Sequence, residues 1–210
     1  MGAIIRSIIG LGLAAVLAAP GSARAGAQIY EPLSASVRAA LYKAIADHAA
    51  PFLAFDTELE ARRWLAAMSG RLAKRMPDRL QREEFLVTVH YEAKRAGLDP
   101  QLVLGLIQVE SNFRKYAVSR AGARGFMQVM PFWVKVIGDR EDNLFHLRIN
   151  LRYGCVILRH YLDIEKGDLY RALGRYNGSL GKPEYPTMVE RAWKHWQYTT
   201  HTANAPRGAS

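Results

Sequence analysis

The chain reads as mainly α-helical. Two observations carry this. Apolar residues recur at the helical period in one segment after another, and each segment opens on a capping residue or stops at Gly or Pro. No alternation of period two runs long enough to define a strand, so at most a small β element is expected, in the loop after Glu110. Half of the 210 residues are hydrophobic, enough for a sizeable core.

Residues 1–25 read as a cleavable secretory signal. Arg6 supplies a positive start, residues 7–19 are apolar or small, Pro20 and Gly21 break the run, and Ala23, Arg24 and Ala25 form an A-x-A site. The thirteen-residue run is short for a membrane span, and the rival reading is an uncleaved anchor. Cleavage would remove Arg6 and Arg24 and no acid, taking the net charge from +10 to +8. Such a surface suits an acidic polymer or an anionic membrane face. No nucleic-acid-binding signature is present, and no apolar run beyond the signal could span a membrane. The single cysteine, Cys155, excludes an intrachain disulfide framework and a cysteine-based zinc site; a buried free thiol is expected.

The first helix is expected over residues 34–50, capped by Ser34 or Ser36 and stopped by Pro51. A second spans residues 57–75, its stripe of Leu59, Arg63, Ala66 and Ala67 broken by Gly70. Arg71, Lys74 and Arg75 read as a solvated basic end in preference to a glycan contact. Asp78 caps a third helix over residues 79–95, with Leu80, Phe85, Val89 and Ala93 inward and Gly97 as terminator. His90 beside that stripe reads as a packed side chain rather than a ligand.

Asp99 and Pro100 start the helix on which the chemistry is expected to depend. Leu102, Val103, Leu106, Ile107 and Val109 form its apolar stripe, and Glu110 falls inside it, with Gln101 and Gln108 on the other side. A carboxyl there loses hydration, which disfavours its charged form and keeps it protonated toward neutral pH, as a general acid requires. The alternative is a helix-end carboxylate that reaches water or pairs with Arg114. The twenty-eight residues 111–138 contain no Asp or Glu, so no second carboxylate follows closely in sequence.

The residues Glu110, Ser111, Asn112 and Phe113, then Ala117, Ser119, Gly122, Ala123, Gly125, Met127, Gln128, Val129, Met130 and Pro131, resemble the soluble lytic transglycosylase (SLT) domain family, whose fold is lysozyme-like. A second block, Ala172 to Gly178 in number order, resembles the family's ALxxYNxG segment, with Gly178 and Ser179 where Ala and Gly are usual. Asn143, Leu144 and Phe145, and Asn150 to Gly154, resemble the helix that backs the family's site. The resemblance covers roughly residues 85–198. With the signal read above and a small, polar tail, the domain plan is signal 1–25, N-terminal helical extension 26–84, lysozyme-like domain 85–198 from the resemblance, and a disordered tail 199–210.

The resemblance also implies an activity. Lytic transglycosylases cleave the β-1,4 bond between N-acetylmuramic acid and N-acetylglucosamine in peptidoglycan and form a 1,6-anhydro ring without water, needing no metal or organic cofactor. Glu110 would be general acid and then base. Ser119, Gln128, Met130 (through its backbone), Tyr176 and Asn177 would line the substrate site, with the Tyr176 hydroxyl near Glu110. Each also has a bland reading, in turns, loop ties or core. Two rivals remain: a lysozyme-type hydrolase, which would want Asp residues soon after the glutamate, and a murein-binding or secretion-assembly module partnered through residues 26–82. A monomeric, periplasmic protein acting on glycan strands, possible protein partners aside, is the expectation.

The remaining elements complete the helical reading. Residues 132–137 form a short helix, and residues 138–143 a charged turn whose Asp142 reads as a helix cap. Residues 144–165 form a long helix, and Asp168 starts another through Tyr176. Residues 178–186 make a turn-rich loop. Pro186 opens the last helix, with Val189, Trp193 and Trp196 as core.

Overall fold

A computed structural model describes residues 28–46 and 49–198. The expected signal segment and C-terminal tail lie outside the described residues. Among those described, the chain forms eight α-helices and no strand: α1 (Ala35–Ile45), α2 (Glu58–Leu72), α3 (Arg79–Arg95), α4 (Pro100–Ser111), α5 (Phe132–Ile137), α6 (Leu147–Ile164), α7 (Leu169–Asn177) and α8 (Glu184–Trp196). The expected small β element reduces to two isolated bridges, Val118 with Arg124 and Arg124 with Val129. None of these helices is long and apolar enough to cross a membrane.

Local capping chemistry sets most helix starts. Ser34, Thr57, Asp78, Asp99 and Asp168 each accept a backbone N–H of the first turn through the side chain. Asp142 does not. The helix it was expected to cap begins only at Leu147, because Asn143 first turns the chain, accepting the Phe145 N–H on its side chain and the His146 N–H on its carbonyl. The Asp142 carboxylate instead accepts the Tyr153 hydroxyl at 2.5 Å. Helix α1 ends at Ile45, well before Pro51, and α8 begins at Glu184 with Pro186 already inside its first turn.

The core forms where α4 lies along α8, with α3, α6 and α7 around them. Gly105 permits the α4–α8 crossing, since a Cβ there would stand 2.7 Å from the Trp193 backbone nitrogen. This covers the side of α4 expected to face solvent: Gln108 accepts the Trp196 indole N–H and Asp99 accepts that of Trp193, each at 2.8 Å. Trp196 is wholly buried, and Trp193 partly so.

The α2 stripe was misphased, whereas in α3 Phe85, Val89 and Ala93 face inward as expected and only Leu80 does not. Leu59 and Leu80 are exposed, and α2 buries Trp64, Met68, Ser69 and Leu72 while running straight through Gly70. Helix α3 is enclosed on several sides, so Arg82, Thr88, His90 and Glu92 are buried beside its apolar stripe. His90 stacks on Phe55 at 4.6 Å and meets Trp64 edge-on, and burial beside Lys94 lowers its pKa to about 4. Cys155 is buried and free.

Helices α1 and α2 pack against the rest, α1 on α5 and α6, and α2 on α3. The basic end of α2 is exposed at Lys74 and Arg75, as expected, and also makes docking contacts. Arg71 donates to the carbonyls of His195 and Gln197, and Arg75 donates to Asn112 Oδ1 at 2.9 Å while its guanidinium lies over the Phe113 ring.

Candidate active site

The site is built on the last turn of α4. Glu110 is 7% exposed there, inside the apolar face, as the helical period requires. Past Ser111 the backbone enters the left-handed region at Asn112 and Phe113, with φ of 49° and 65°, and the turn directs the chain away over the core. Arg75 grips the Asn112 side chain and Phe113 buries its ring between Phe85 and Trp196, which holds this uncommon geometry.

The loop that follows folds back on itself and is clamped from α6. Asn150, wholly buried, accepts the Met127 N–H and donates to the carbonyls of Arg124 and Leu144, all at 2.8 Å. Two glycines make the clamp possible. A Cβ on Gly125 (φ 75°) would stand 2.4 Å from Asn150 Nδ2, and one on Gly154 would stand 2.3 Å from the Met127 sulfur. Gln128, itself at φ 49°, ties the loop internally, donating to Gly125 O at 2.9 Å and Ala117 O at 3.1 Å.

Burial raises the Glu110 pKa to about 8, and the opposing effect is a hydrogen bond from the Tyr185 hydroxyl. That hydroxyl donates to Glu110 Oε1. Glu110 Oε2 is buried without a hydrogen-bond partner. Arg114 does not pair with it; its guanidinium donates to the Ser111 carbonyl at 3.0 Å. The result is a carboxyl that keeps its proton at neutral pH, with one oxygen oriented and the other unengaged.

The remaining expected site residues make contacts of mixed kinds. The Tyr176 hydroxyl donates to Met127 O at 2.8 Å rather than to Glu110, although the glutamate's charge still helps to raise the phenol's pKa. Tyr185, which the sequence reading missed, makes the contact expected of Tyr176. The Gln128 carboxamide faces its own loop. Ser119 Oγ accepts the Ala123 N–H at 3.1 Å and is partly exposed. Asn177 donates to Ser179 Oγ at 2.9 Å, next to Gly178, which closes α7 in the left-handed conformation. The Met130 N–H donates to Gln28 Oε1 at 3.1 Å, a contact across 102 residues of sequence.

A cavity of about 700 Å³ lies elsewhere, lined by Phe55, Trp64, His90, Lys94, Asp99 and Tyr198. It borders the opposite end of α4 from Glu110, roughly 16 Å away along the helix, and has no part in the arrangement above.

Comparison with known proteins agrees with the geometry. The family model described as the transglycosylase SLT domain matches residues 88–189. A transglycosylase of Enterobacteria phage PRD1 is 34% identical over 98 residues, 47% of this chain and 36% of that protein. The membrane-bound lytic murein transglycosylase C of Haemophilus ducreyi is 44% identical over 114 residues, covering 47% of this chain and 31% of the relative. The protein of the same name from Actinobacillus pleuropneumoniae serotype 5b is 52% identical over 48 residues, 23% of this chain and 13% of the relative. The chain thus spans little more than a third, or less, of these relatives' length.

Proposed function

Since residues 88–189 belong to the transglycosylase SLT domain family, of lysozyme-like fold, we propose that the chain is a peptidoglycan lytic transglycosylase with Glu110 as its acid and base. One observation carries the reading: Glu110 is buried, its pKa stands at about 8, and one carboxyl oxygen is held by Tyr185 while the other has no partner.

Such a group supports two successive proton transfers. Protonated at neutral pH, it gives its proton to the oxygen of the β-1,4 bond, and the N-acetylglucosamine side departs as an alcohol. The N-acetyl group of the muramic sugar stabilises the positive charge at the anomeric carbon, the substrate-assisted route that removes the need for a second carboxylate. Glu110, now ionised, is steadied by the Tyr185 hydroxyl and takes the proton of the same sugar's hydroxymethyl group. That oxygen bonds to the anomeric carbon, closes the 1,6-anhydro ring and returns Glu110 to its starting state with no water consumed.

The other residues serve this chemistry through position. The Met130 N–H and the Gln128 carbonyl offer a donor and an acceptor to an acetamido group. Tyr176 fixes the Met127 carbonyl, and Gln128 fixes the loop. Ser119 and Asn177 offer polar groups at the rim. A signal cleaved after Ala25 would deliver the protein to the periplasm, where its glycan substrate lies.

Mass spectrometry of purified sacculi after digestion tests the reading. Anhydro-muropeptides are expected. Reducing-end products one water heavier would replace transglycosylation by lysozyme-type hydrolysis, and sacculus binding without cleavage would replace it by a binding module.

A further inference from the structure

The segment before α1 lies across the site. Gln28 is 4% exposed, and its carboxamide makes a matched pair of contacts: Oε1 accepts the Met130 N–H at 3.1 Å and Nε2 donates to the Gln128 carbonyl at 3.4 Å. The same side chain lies close enough to the Tyr176 phenol to oppose the rise in its pKa that burial and the Glu110 charge produce. Further along, the Tyr30 ring stands edge-on to Phe132 at 5.6 Å, Glu31 pairs with Arg175 at 2.8 Å, and Leu33 packs on the core. Among the described residues, no backbone hydrogen bond ties residues 28–33 to the body, and Ile29 and Tyr30 are 62% and 55% exposed.

We propose that residues 28–33 form a built-in competitor, whose Gln28 carboxamide fills the position of a substrate acetamido group and must leave before glycan binds. The chemistry is matched. A buried backbone N–H and C=O both need partners. A carboxamide and an acetamido group each supply one carbonyl acceptor and an N–H donor. The strap therefore satisfies the resting site, and a sugar bearing an N-acetyl group can take its place at little net cost in hydrogen bonds. Attachment through side chains alone, with half-exposed residues between the anchors, suits displacement. An intramolecular occupant lowers apparent affinity in proportion to the fraction of molecules it closes.

The identity of the displacing glycan rests on the transglycosylase reading; the competition does not. The test is calorimetric titration of the full chain with a trimer of β-1,4-linked N-acetylglucosamine, alongside the Gln28→Ala and Glu31→Ala variants. Gln28→Ala removes the mimic, and Glu31→Ala loosens the strap from a place outside the site. Both should bind the trimer more tightly, by about three- to tenfold for Gln28→Ala and less for Glu31→Ala. In sacculus digestion KM should fall with kcat little changed. Unchanged or weaker trimer binding by both variants, or no binding by any form, would overturn the strap. Digests lacking anhydro-muropeptides, with binding still tightened, would overturn the transglycosylase reading and leave the strap standing.

Discussion

Two glutamates are buried in this fold, and their surroundings differ completely. Glu92 of α3 is fully buried among three arginines: Arg95 at 3.1 Å and Arg148 and Arg152 at 3.2 Å. The same guanidinium groups reach on to the carbonyls of Ala44, Ile45 and Ala49, at and beyond the end of α1. Glu110 of α4 has no cation at all beside it, only the Tyr185 hydroxyl. A carboxylate ringed by guanidinium groups holds elements together, whereas one buried with a single hydroxyl keeps its proton and is poised to give it up. Burial alone does not mark a functional acid; the partners decide.

The largest expected effect separates the two by activity. Glu110→Gln should lower anhydro-muropeptide release by about 10²- to 10⁴-fold, the usual worth of general acid–base catalysis, without loss of fold. The variant should even gain stability. Folded Glu110 holds its proton up to about pH 8, while the unfolded chain loses it near 4.5. The folded state binds more protons in that window, so the parent's stability falls as pH rises from about 4.5 through 8. Glutamine does not titrate, so the variant's melting temperature should pull ahead of the parent's across that range. Parallel curves would mean that Glu110 is not protonated in the folded protein.

Next in size is Glu92→Gln, with the opposite signature. It leaves Arg152, 8% exposed in its side chain, with its cluster of neighbours and no counter-charge. Breaking a buried ion pair from one side costs about 3–5 kcal/mol, which urea unfolding would read directly. The residual folded protein should keep the parent's pH dependence of cleavage. A stable Glu92→Gln protein would mean that the arginines are satisfied by the carbonyls alone.

The two glutamates were also unequally legible. Glu110 could be read because α4 has a plain helical stripe and the residue falls within it. Helix α3 buries polar residues beside its apolar stripe, and two of the three arginines around Glu92 stand 56 and 60 residues away on α6. The caps at Asp78, Asp99 and Asp168 are local chemistry and were readable, whereas Asp142 resembles a cap locally and is taken by Tyr153, a contact from the next helix. Tyr185 lay in a stretch dense in Gly and Pro that reads as a loop, 75 residues from its partner. A tyrosine just inside the first turn of a helix, between two prolines, was the available signal. Gln28 carried no signal, since its partners are set by where the loop of residues 112–131 finally rests.

The smallest effect tests the one contact that distinguishes Glu110 from a merely buried acid. The Tyr185 hydroxyl donates to the carboxyl and so favours its ionised form, pulling the pKa down against burial. Tyr185→Phe keeps the ring and removes the donor. Glu110 should then hold its proton more tightly, and the alkaline limb of the pH–rate profile, near 8 in the parent, should move upward. The acid step gains nothing at neutral pH, where the group is already protonated. The base step loses the hydroxyl that steadies the carboxylate, so kcat should drop by about tenfold, the scale of one hydrogen bond to a charged group. A shift of the limb separates this role from a packing role, since lost packing would lower the rate at every pH and leave the limb in place. A downward shift, or none, would mean that Tyr185 serves the core and that Glu110 meets its ionised state unaided.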